Sequence, residues 1–181
     1  MLEKRKFYIN GEWVKPSKSN DFEVINPSNE EPFAIISLGF KEDTDAAVKA
    51  AKEAFVEWKE TSKEERINLL EKLLKIYKKR FNELAEAQSM EMGAPIDYAI
   101  SAQTASGQSH LEDFILRLKN FKFEEHFDSK SNNHISYEPI GVCGLITPWN
   151  WPINQIALKV VPALATGCTM ILKPSEIAPI S

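Results

Sequence analysis

The sequence predicts an α/β protein in which short strands open the chain, long helices follow, and a strand–helix–strand unit comes last. Three observations support this prediction. Residues 1–40 combine short apolar runs with turn signals, and residues 41–120 repeat apolar side chains every three or four positions. Residues 141–173 contain two apolar runs separated by an amphipathic stretch. That order indicates two parallel strands joined by a right-handed crossover.

The β-rich opening carries a strong hairpin signal. Asn10-Gly11 lies between the apolar runs 7–9 and 13–14. Asn and Gly accept the positive φ that a tight primed turn requires, so a two-residue hairpin is predicted here. Two further strands are predicted at 22–25 and 33–36, and a turn between them is predicted at 26–29.

Three helices are predicted in the middle of the chain. The first covers 44–59, and Ser62 with Glu65 three residues later forms a capping box that begins the second. Gly93 is expected to end the second helix, because glycine accepts the left-handed conformation that follows many helices. The apolar stripe of this second helix consists of Ile67, Leu70, Leu74, Tyr77, Phe81 and Leu84.

The third helix is expected to begin at Ala94-Pro95, since proline is tolerated in a first turn. Gly107 lies inside it. A glycine in a helix interior costs about 1 kcal/mol relative to alanine, so Gly107 is interpreted as a close contact between helices.

Beyond residue 120 the apolar period changes from that of a helix to that of a strand. Phe121 and Phe123 alternate with charged residues, and Ile135 and Tyr137 alternate again, which predicts a β-hairpin arm over 121–140 around a polar loop at 128–133. The remaining elements are predicted in this order: strand 141–146, loop 147–152, helix 153–166, strand 169–172 and a helix start at Glu176.

Composition argues against several classes of function. The chain has 181 residues, a net charge of −4 and lysines interleaved with glutamates, so no nucleic-acid partner is expected. No apolar run approaches the roughly 20 residues that span a bilayer, and no signal-peptide core follows Met1, so we expect a cytoplasmic protein without a membrane partner. The histidines lack metal-ligand spacing, and no metal site is expected. Cys143 and Cys168 are expected to be reduced, buried thiols.

Polar side chains follow both apolar strands of the strand–helix–strand unit. Asn150 lies on a loop stiffened by Pro148 and Pro152, and its amide could donate to a developing oxyanion or bond its own backbone as a turn residue. Lys173 and Glu176 could hold the ribose of a dinucleotide. Alternatively, Ser175 could be the N-cap of a helix, with Glu176 favouring the helix dipole and Lys173 solvated. The local pattern leaves both alternatives open, and the chain lacks a G-x-G-x-x-G phosphate turn.

The order and spacing of several motifs resemble the N-terminal portion of the aldehyde dehydrogenase superfamily over essentially the whole chain. The motifs are Tyr8-Ile9-Asn10-Gly11-Glu12-Trp13, Val24-Ile25-Asn26-Pro27, Glu91-Met92-Gly93-Ala94-Pro95, Thr147-Pro148-Trp149-Asn150-Trp151-Pro152, Pro162-Ala163-Leu164-Ala165-Thr166-Gly167-Cys168 and Lys173-Pro174-Ser175-Glu176. The resemblance implies the N-terminal part of a Rossmann-type cofactor domain. Residues 1–120 would form its periphery, 121–140 an oligomerisation arm and 141–181 the first βαβ unit.

The resemblance also implies roles for individual residues. Asn150 corresponds to the oxyanion-hole amide that steadies the thiohemiacetal oxygen, and Lys173 and Glu176 to the residues that hold the adenosine ribose of NAD or NADP. Ser175 lies where a 2′-phosphate could be accepted, which keeps NADP open. The backbone wall along the nicotinamide half corresponds to Ile146, Thr147, Pro148 and Trp149.

The motifs of the family's nucleophilic cysteine, general-base glutamate and glycine-rich turn are not matched in this sequence. Neither Cys143 nor Cys168 fits the nucleophile's motif. The chain is therefore expected to be an N-terminal fragment of an NAD(P)-dependent enzyme that oxidises an aldehyde to a carboxylic acid, and to be inactive alone. The parent enzyme is expected to be a homo-oligomer. Two alternatives stay open: a truncated non-catalytic paralogue acting as an interaction module, and one half of a split enzyme.

Overall fold

The computed structural model describes residues 1–127 and 132–181. Its opening strands are β1 (Leu2–Lys4), β2 (Phe7–Ile9), β3 (Glu12–Val14), β4 (Asp21–Asn26) and β5 (Glu31–Ser37). They form a three-stranded sheet in the order β1-β5-β4 and a separate hairpin of β2 and β3. β4 and β5 are antiparallel, whereas β1 runs parallel to β5. The sequence analysis missed β1, because Leu-Glu-Lys shows no alternation of apolar and polar residues.

The predicted hairpin turn is confirmed at the junction of β2 and β3. Asn10 and Gly11 have φ values of 52° and 80°, the left-handed region that primed turns require. Ile9 lies opposite Glu12, so the turn contains only these two residues. The sequence determines this element locally, because few residue pairs accept such φ values.

The first predicted helix is present with changed boundaries as α1 (Lys41–Trp58). The second is present as two helices, α2 (Lys63–Lys79) and α3 (Phe81–Met92). α1 begins three residues early, because the Asp43 carboxylate accepts a hydrogen bond from the Phe40 N–H at 2.8 Å. The prediction of one helix from Ser62 to Gly93 is wrong. Arg80, with φ −101° and ψ 14°, separates α2 from α3. A one-residue break leaves the apolar spacing nearly unchanged, so periodicity does not reveal it.

The capping box at the start of α2 is confirmed. The Ser62 hydroxyl accepts from the Glu65 N–H at 3.2 Å, and the Glu65 carboxylate accepts from the Ser62 N–H at 2.7 Å. These bonds satisfy two backbone donors that the helix itself cannot satisfy. The hydrogen bonds from Ser62 hold the pKa of Glu65 below its usual value, so the carboxylate stays ionised at neutral pH.

Replacing Ser62 with alanine is therefore expected to destabilise the chain by about 1 kcal/mol, the usual loss for a polar N-cap. Urea unfolding followed by far-UV circular dichroism measures this loss. Ser19→Ala is the matched control, because Ser19 is exposed and caps no helix. Equal unfolding midpoints for the two variants would contradict the assigned role.

The predicted third helix is interrupted by a π-helical segment. α4 (Ile96–Tyr98) leads directly into the π segment Ala99–Thr104, and α5 (Ala105–Asn120) follows with no residue between them. A π segment contains i→i+5 hydrogen bonds and is often found near functional sites. The sequence gives no signal for it, because the residues involved are ordinary helix formers.

The predicted hairpin over 121–140 is confirmed as β6 (Glu124–His126) paired antiparallel with β7 (His134–Ser136). Part of the predicted polar loop, residues 128–131, lies outside the described residues. Phe121 and Tyr137 form an edge-on aromatic pair with ring centroids 5.3 Å apart at the base of the hairpin. Aromatic packing thus joins the two strands where they leave the helical body.

The strand–helix–strand unit is confirmed as β8 (Val142–Ile146), α6 (Pro152–Ala165) and β9 (Thr169–Lys173), with β8 and β9 parallel. The Thr169 hydroxyl donates to the Ala51 carbonyl at 2.8 Å and so attaches β9 to α1. The predicted helix start at Glu176 is wrong, since Glu176 lies in a turn. Pro179 follows three residues later, and helical φ and ψ are disfavoured for the residue directly before a proline. A helix that began at Glu176 would therefore be interrupted within its first turn.

The apolar core lies among α2, α5 and α6. Side chains from all three helices meet in one buried cluster, and partly buried residues such as Tyr77 pack against it. Within residues 1–127 and 132–181, no helix combines the length and apolar character needed to cross a bilayer. The cluster consists of Leu70, Leu111, Ile115, Leu118, Ala157, Val161 and Ala165.

Candidate functional site

The two polar segments predicted from the sequence leave the same edge of the β8–β9 pair. Ile146 lies opposite Lys173 in the parallel register, and the Thr147 N–H donates to the Lys173 carbonyl at 3.3 Å. Both loops therefore begin at the carboxyl ends of adjacent parallel strands. Ligands of open α/β sheets bind outside the carboxyl ends of their strands.

Asn150 lies on the loop between β8 and α6, and its side chain is exposed. It makes no hydrogen bond to any residue in the described ranges 1–127 and 132–181, so the alternative of a turn asparagine bonded to its own backbone is not observed. Thr147, which begins the loop, is 3% exposed, and Pro152 begins α6. A free amide on a loop anchored at both ends can donate to an incoming oxygen with little reorganisation.

The wall residues predicted beside Asn150 differ in exposure. Ile146 is 73% exposed and Trp149 is 55% exposed, whereas Thr147 is buried. Pro148 is exposed as well. Large apolar side chains open to solvent at a strand end are a surface on which an aromatic or aliphatic ligand group can pack.

Lys173 and Glu176 form an ion pair at the end of β9. The Lys173 ammonium donates to Glu176 Oε2 at 2.8 Å, and both side chains are about half exposed. The hydrogen bond from Lys173 holds the pKa of Glu176 below its usual value. The carboxylate is therefore ionised at neutral pH, and it keeps acceptor capacity for a pair of hydroxyl groups.

Ser175 takes part in the turn that orders this segment. Its hydroxyl accepts from the Ile177 N–H at 3.2 Å. This is a local serine turn rather than the helix cap considered from the sequence. Ser175 therefore lies beyond the carboxyl end of β9, close in sequence to Lys173 and Glu176.

Three supporting residues were missed by the sequence analysis. Tyr98 packs edge-on against Trp151, with ring centroids 6.1 Å apart and planes at 81°, and so supports the Asn150 loop from the helix that contains the π segment. His110, interpreted from the sequence as a surface or helix-face residue, contacts Asn154 Oδ1 through Nε2 at 2.8 Å and joins α5 to the start of α6. Only tertiary proximity pairs these residues, because each pair is separated by more than forty positions.

Glu91 is the third supporting residue, and it anchors the segment that follows Glu176. It is 2% exposed and accepts from the Ile180 N–H at 2.6 Å and the Ser181 N–H at 3.1 Å. Burial raises the pKa of this carboxyl group, while the two backbone donors act in the opposite direction. The bonds attach the loop after β9 to α3.

The two cysteines lie away from the carboxyl ends of β8 and β9. Cys168 is 3% exposed and directly precedes β9, and Cys143 is half-buried in the middle of β8. Burial raises the pKa of the Cys143 thiol. A nucleophilic cysteine needs the thiolate form and access to substrate, and neither residue combines the two.

The fold and these residues define an α/β protein whose polar groups gather at the carboxyl edge of a parallel strand pair. The chain belongs to the aldehyde dehydrogenase family, because the profile of the Aldehyde dehydrogenase family matches residues 13–181. It is 49% identical over 182 residues to a 3-succinoylsemialdehyde-pyridine dehydrogenase from a Pseudomonas species, a match that covers 100% of this chain and 38% of the relative.

Solved structures agree with this assignment. An aldehyde dehydrogenase from Bartonella henselae superposes with a TM-score of 0.97 and 57% identity, covering 99% of this chain and 38% of that protein. A mutant aldehyde dehydrogenase C from Pseudomonas syringae, complexed with NAD⁺ and octanal, gives a TM-score of 0.94 and 42% identity, covering 97% of this chain and 36% of that one. The chain thus spans little more than a third of these relatives and has the mixed α/β fold of their N-terminal part.

Proposed function

We propose that this chain supplies the oxyanion donor and the ribose-binding residues of an NAD(P)-dependent aldehyde dehydrogenase that oxidises an aldehyde to a carboxylic acid. The observation that carries the proposal is the parallel register that pairs Ile146 with Lys173. It brings the Asn150 loop and the Lys173–Glu176 segment to one edge of the strand pair. Residues 1–120 act as the periphery of the cofactor domain, residues 121–140 as an oligomerisation arm of a cytoplasmic homo-oligomer, and residues 141–181 as the first βαβ unit.

The residues at this edge fit a dinucleotide. Glu176 is an ionised carboxylate that can accept from two ribose hydroxyls, and Lys173 can donate to a hydroxyl or a phosphate oxygen. Ile146 and Trp149 offer exposed apolar surface for the nicotinamide half. A relative complexed with NAD⁺ supports NAD, and Ser175 keeps NADP open as the alternative.

The chemical contribution of this chain is electrostatic. The Asn150 amide donates to the oxygen that becomes negatively charged when a nucleophile attacks the aldehyde carbon. Such donors act more strongly on the transition state than on the ground state, which is the condition for faster turnover. The cofactor, when bound, accepts the hydride that leaves the aldehyde carbon.

The nucleophile is expected to come from outside these 181 residues, because neither Cys143 nor Cys168 is an accessible thiolate. We therefore expect the purified chain to produce no NADH or NADPH from short and long aldehydes. We expect activity from a chimera in which this chain replaces the matching 38% of the Bartonella henselae enzyme. NADH absorbance measures both.

The two outcomes also test the assignment of the nucleophile and the alternative of a non-catalytic interaction module. Turnover by the chain alone would overturn the assignment of the nucleophile. A chimera that folds and assembles but shows no aldehyde-dependent reduction would favour the non-catalytic interaction module. The same assay with NAD⁺ and NADP⁺ in parallel compares the two cofactors directly.

Replacing Glu176 with glutamine in the chimera is expected to raise the KM for NAD⁺ by about 10-fold or more, with a smaller change in kcat. The reason is that hydrogen bonds to a charged group are worth about 1.5–3 kcal/mol, and ribose contacts persist through the reaction. Steady-state kinetics at varied NAD⁺ measures the effect. Glu86→Gln is the control, since Glu86 is an exposed residue of α3. An unchanged KM would contradict the assigned role of Glu176.

A further inference from the structure

The β6–β7 hairpin brings together two histidines that are eight positions apart in the sequence. His126 lies directly opposite His134 in the antiparallel register. Their ring centroids are 4.3 Å apart, with an angle of 44° between the ring planes. The spacing along the chain did not indicate a metal site, because the pairing depends on the strand register.

The hydrogen-bond pattern of the hairpin explains why the two rings are so close. The Phe127 N–H donates to the Asn133 carbonyl at 2.9 Å, and the Tyr137 N–H donates to the Phe123 carbonyl at 2.8 Å. Hydrogen-bonded and non-hydrogen-bonded pairs alternate along an antiparallel ladder, so His126 and His134 form a non-hydrogen-bonded pair. In such pairs the Cα atoms are only about 4.5 Å apart, and the side chains approach most closely.

The two imidazoles share their face of the hairpin with Glu124 and Ser136, a pair that lies two positions along the same ladder. Alternate residues of a strand point to the same face of a sheet. Glu125 belongs to the opposite face, where its carboxylate accepts from the Tyr137 hydroxyl at 3.4 Å. Both histidines are exposed. The pair is therefore open to solvent, with a carboxylate on the same face.

We propose that His126 and His134 form a chelating site for a divalent transition metal, with Cu²⁺ bound most tightly. Metal–imidazole bonds of about 2.0–2.1 Å place two ligating nitrogens about 3 Å apart. Rings with centroids 4.3 Å apart can bring two nitrogens to that separation, because the terminal torsion of histidine is broad. Among residues 1–127 and 132–181 no group of three or more His, Cys, Asp or Glu side chains is placed to hold a metal. Water therefore completes the coordination, which favours Cu²⁺ or Ni²⁺ over a four-ligand zinc site. The site lies on the arm and does not depend on the proposed function.

The test is a titration of the 181-residue chain with Cu²⁺ by isothermal calorimetry, combined with electron paramagnetic resonance of the bound ion. We expect one tight equivalent per chain and a nitrogen hyperfine pattern from two imidazoles. His126→Ala and His134→Ala should each weaken binding by about 100-fold, at least the loss seen when a supporting group of a metal site is removed. Ni²⁺ and Zn²⁺ should follow with lower affinity.

His110→Gln is the matched control, since His110 lies in α5, outside the β6–β7 hairpin, and contacts Asn154. It should leave the tight equivalent unchanged, and far-UV circular dichroism checks that each variant keeps its fold. Concentrated urea should abolish the difference between the wild-type chain and His126→Ala, because the pairing needs the hairpin. Equal affinity in the wild-type chain and the His126→Ala/His134→Ala double variant would overturn the proposal, as would loss of the tight equivalent in His110→Gln.

Discussion

Replacing Asn150 with alanine in the chimera is expected to lower kcat by about 10²–10³-fold, the loss that follows removal of one oxyanion-hole donor. The KM for the aldehyde should change far less, because the hydrogen bond strengthens as charge develops on the oxygen. Steady-state kinetics with saturating NAD⁺ measures both constants. The expectation rests on an exposed amide with no hydrogen bond inside the described part of the chain.

Asn82→Ala is the matched control for this experiment. Asn82 is an exposed asparagine near the start of α3, away from the ends of β8 and β9, and its replacement should leave kcat unchanged. Asn150→Asp is a second informative variant, because it keeps the shape of the side chain and removes the N–H donor. If Asn150→Asp retained full activity, the role of Asn150 as a donor would be wrong.

Replacing Gly107 with valine is expected to destabilise the chain by about 3 kcal/mol or more. A Cβ at this position would lie 2.4 Å from Ile153 Cγ2 and 2.5 Å from the Tyr77 hydroxyl. Neither neighbour can move freely, since Ile153 is buried in α6 and the Tyr77 hydroxyl donates to the Thr104 carbonyl at 2.7 Å. Overpacking of a well-packed core costs about 1–3 kcal/mol, and valine adds three carbon atoms here.

Urea unfolding measures this loss, and Gly144→Val provides the matched control. Gly144 lies in β8, and a Cβ there would meet no atom within 4 Å. Valine is also favoured in strands, so Gly144→Val should be neutral or stabilising. Gly107→Ala should show a smaller loss than Gly107→Val, because alanine adds one carbon and regains about 1 kcal/mol of helix propensity. Equal stabilities for Gly107→Val and Gly144→Val would contradict the close contact.

Local features of the sequence predicted much of the fold. The Asn10-Gly11 turn, the Ser62–Glu65 capping box and the left-handed Gly93 were predicted, because few residue types suit the backbone positions that these features require. The break at Arg80 and the π segment Ala99–Thr104 were missed, because they involve residues that suit an ordinary helix. Such irregularities depend on packing against distant elements, which a periodic pattern does not contain.

The candidate site shows the same division. The sequence predicted Asn150, Lys173 and Glu176 as polar residues after two strands, and the family match gives them a common context. It did not predict Tyr98, His110 or Glu91 as their supports. Each of these contacts joins residues that are far apart along the chain, so no local pattern reports it.

By itself, the sequence determined most of the element types, the family and the residues that follow β8 and β9, because these depend on short-range backbone preferences and on motif order. The tertiary structure alone decided which residues meet. The parallel register places Ile146 beside Lys173, and helix packing brings Ile153 and Tyr77 against Gly107. The antiparallel register of the arm places the His126 ring beside that of His134. Helix packing depends on which faces are buried together, and register depends on buried faces and on the geometry of the connecting turns, so neither can be read from a local pattern.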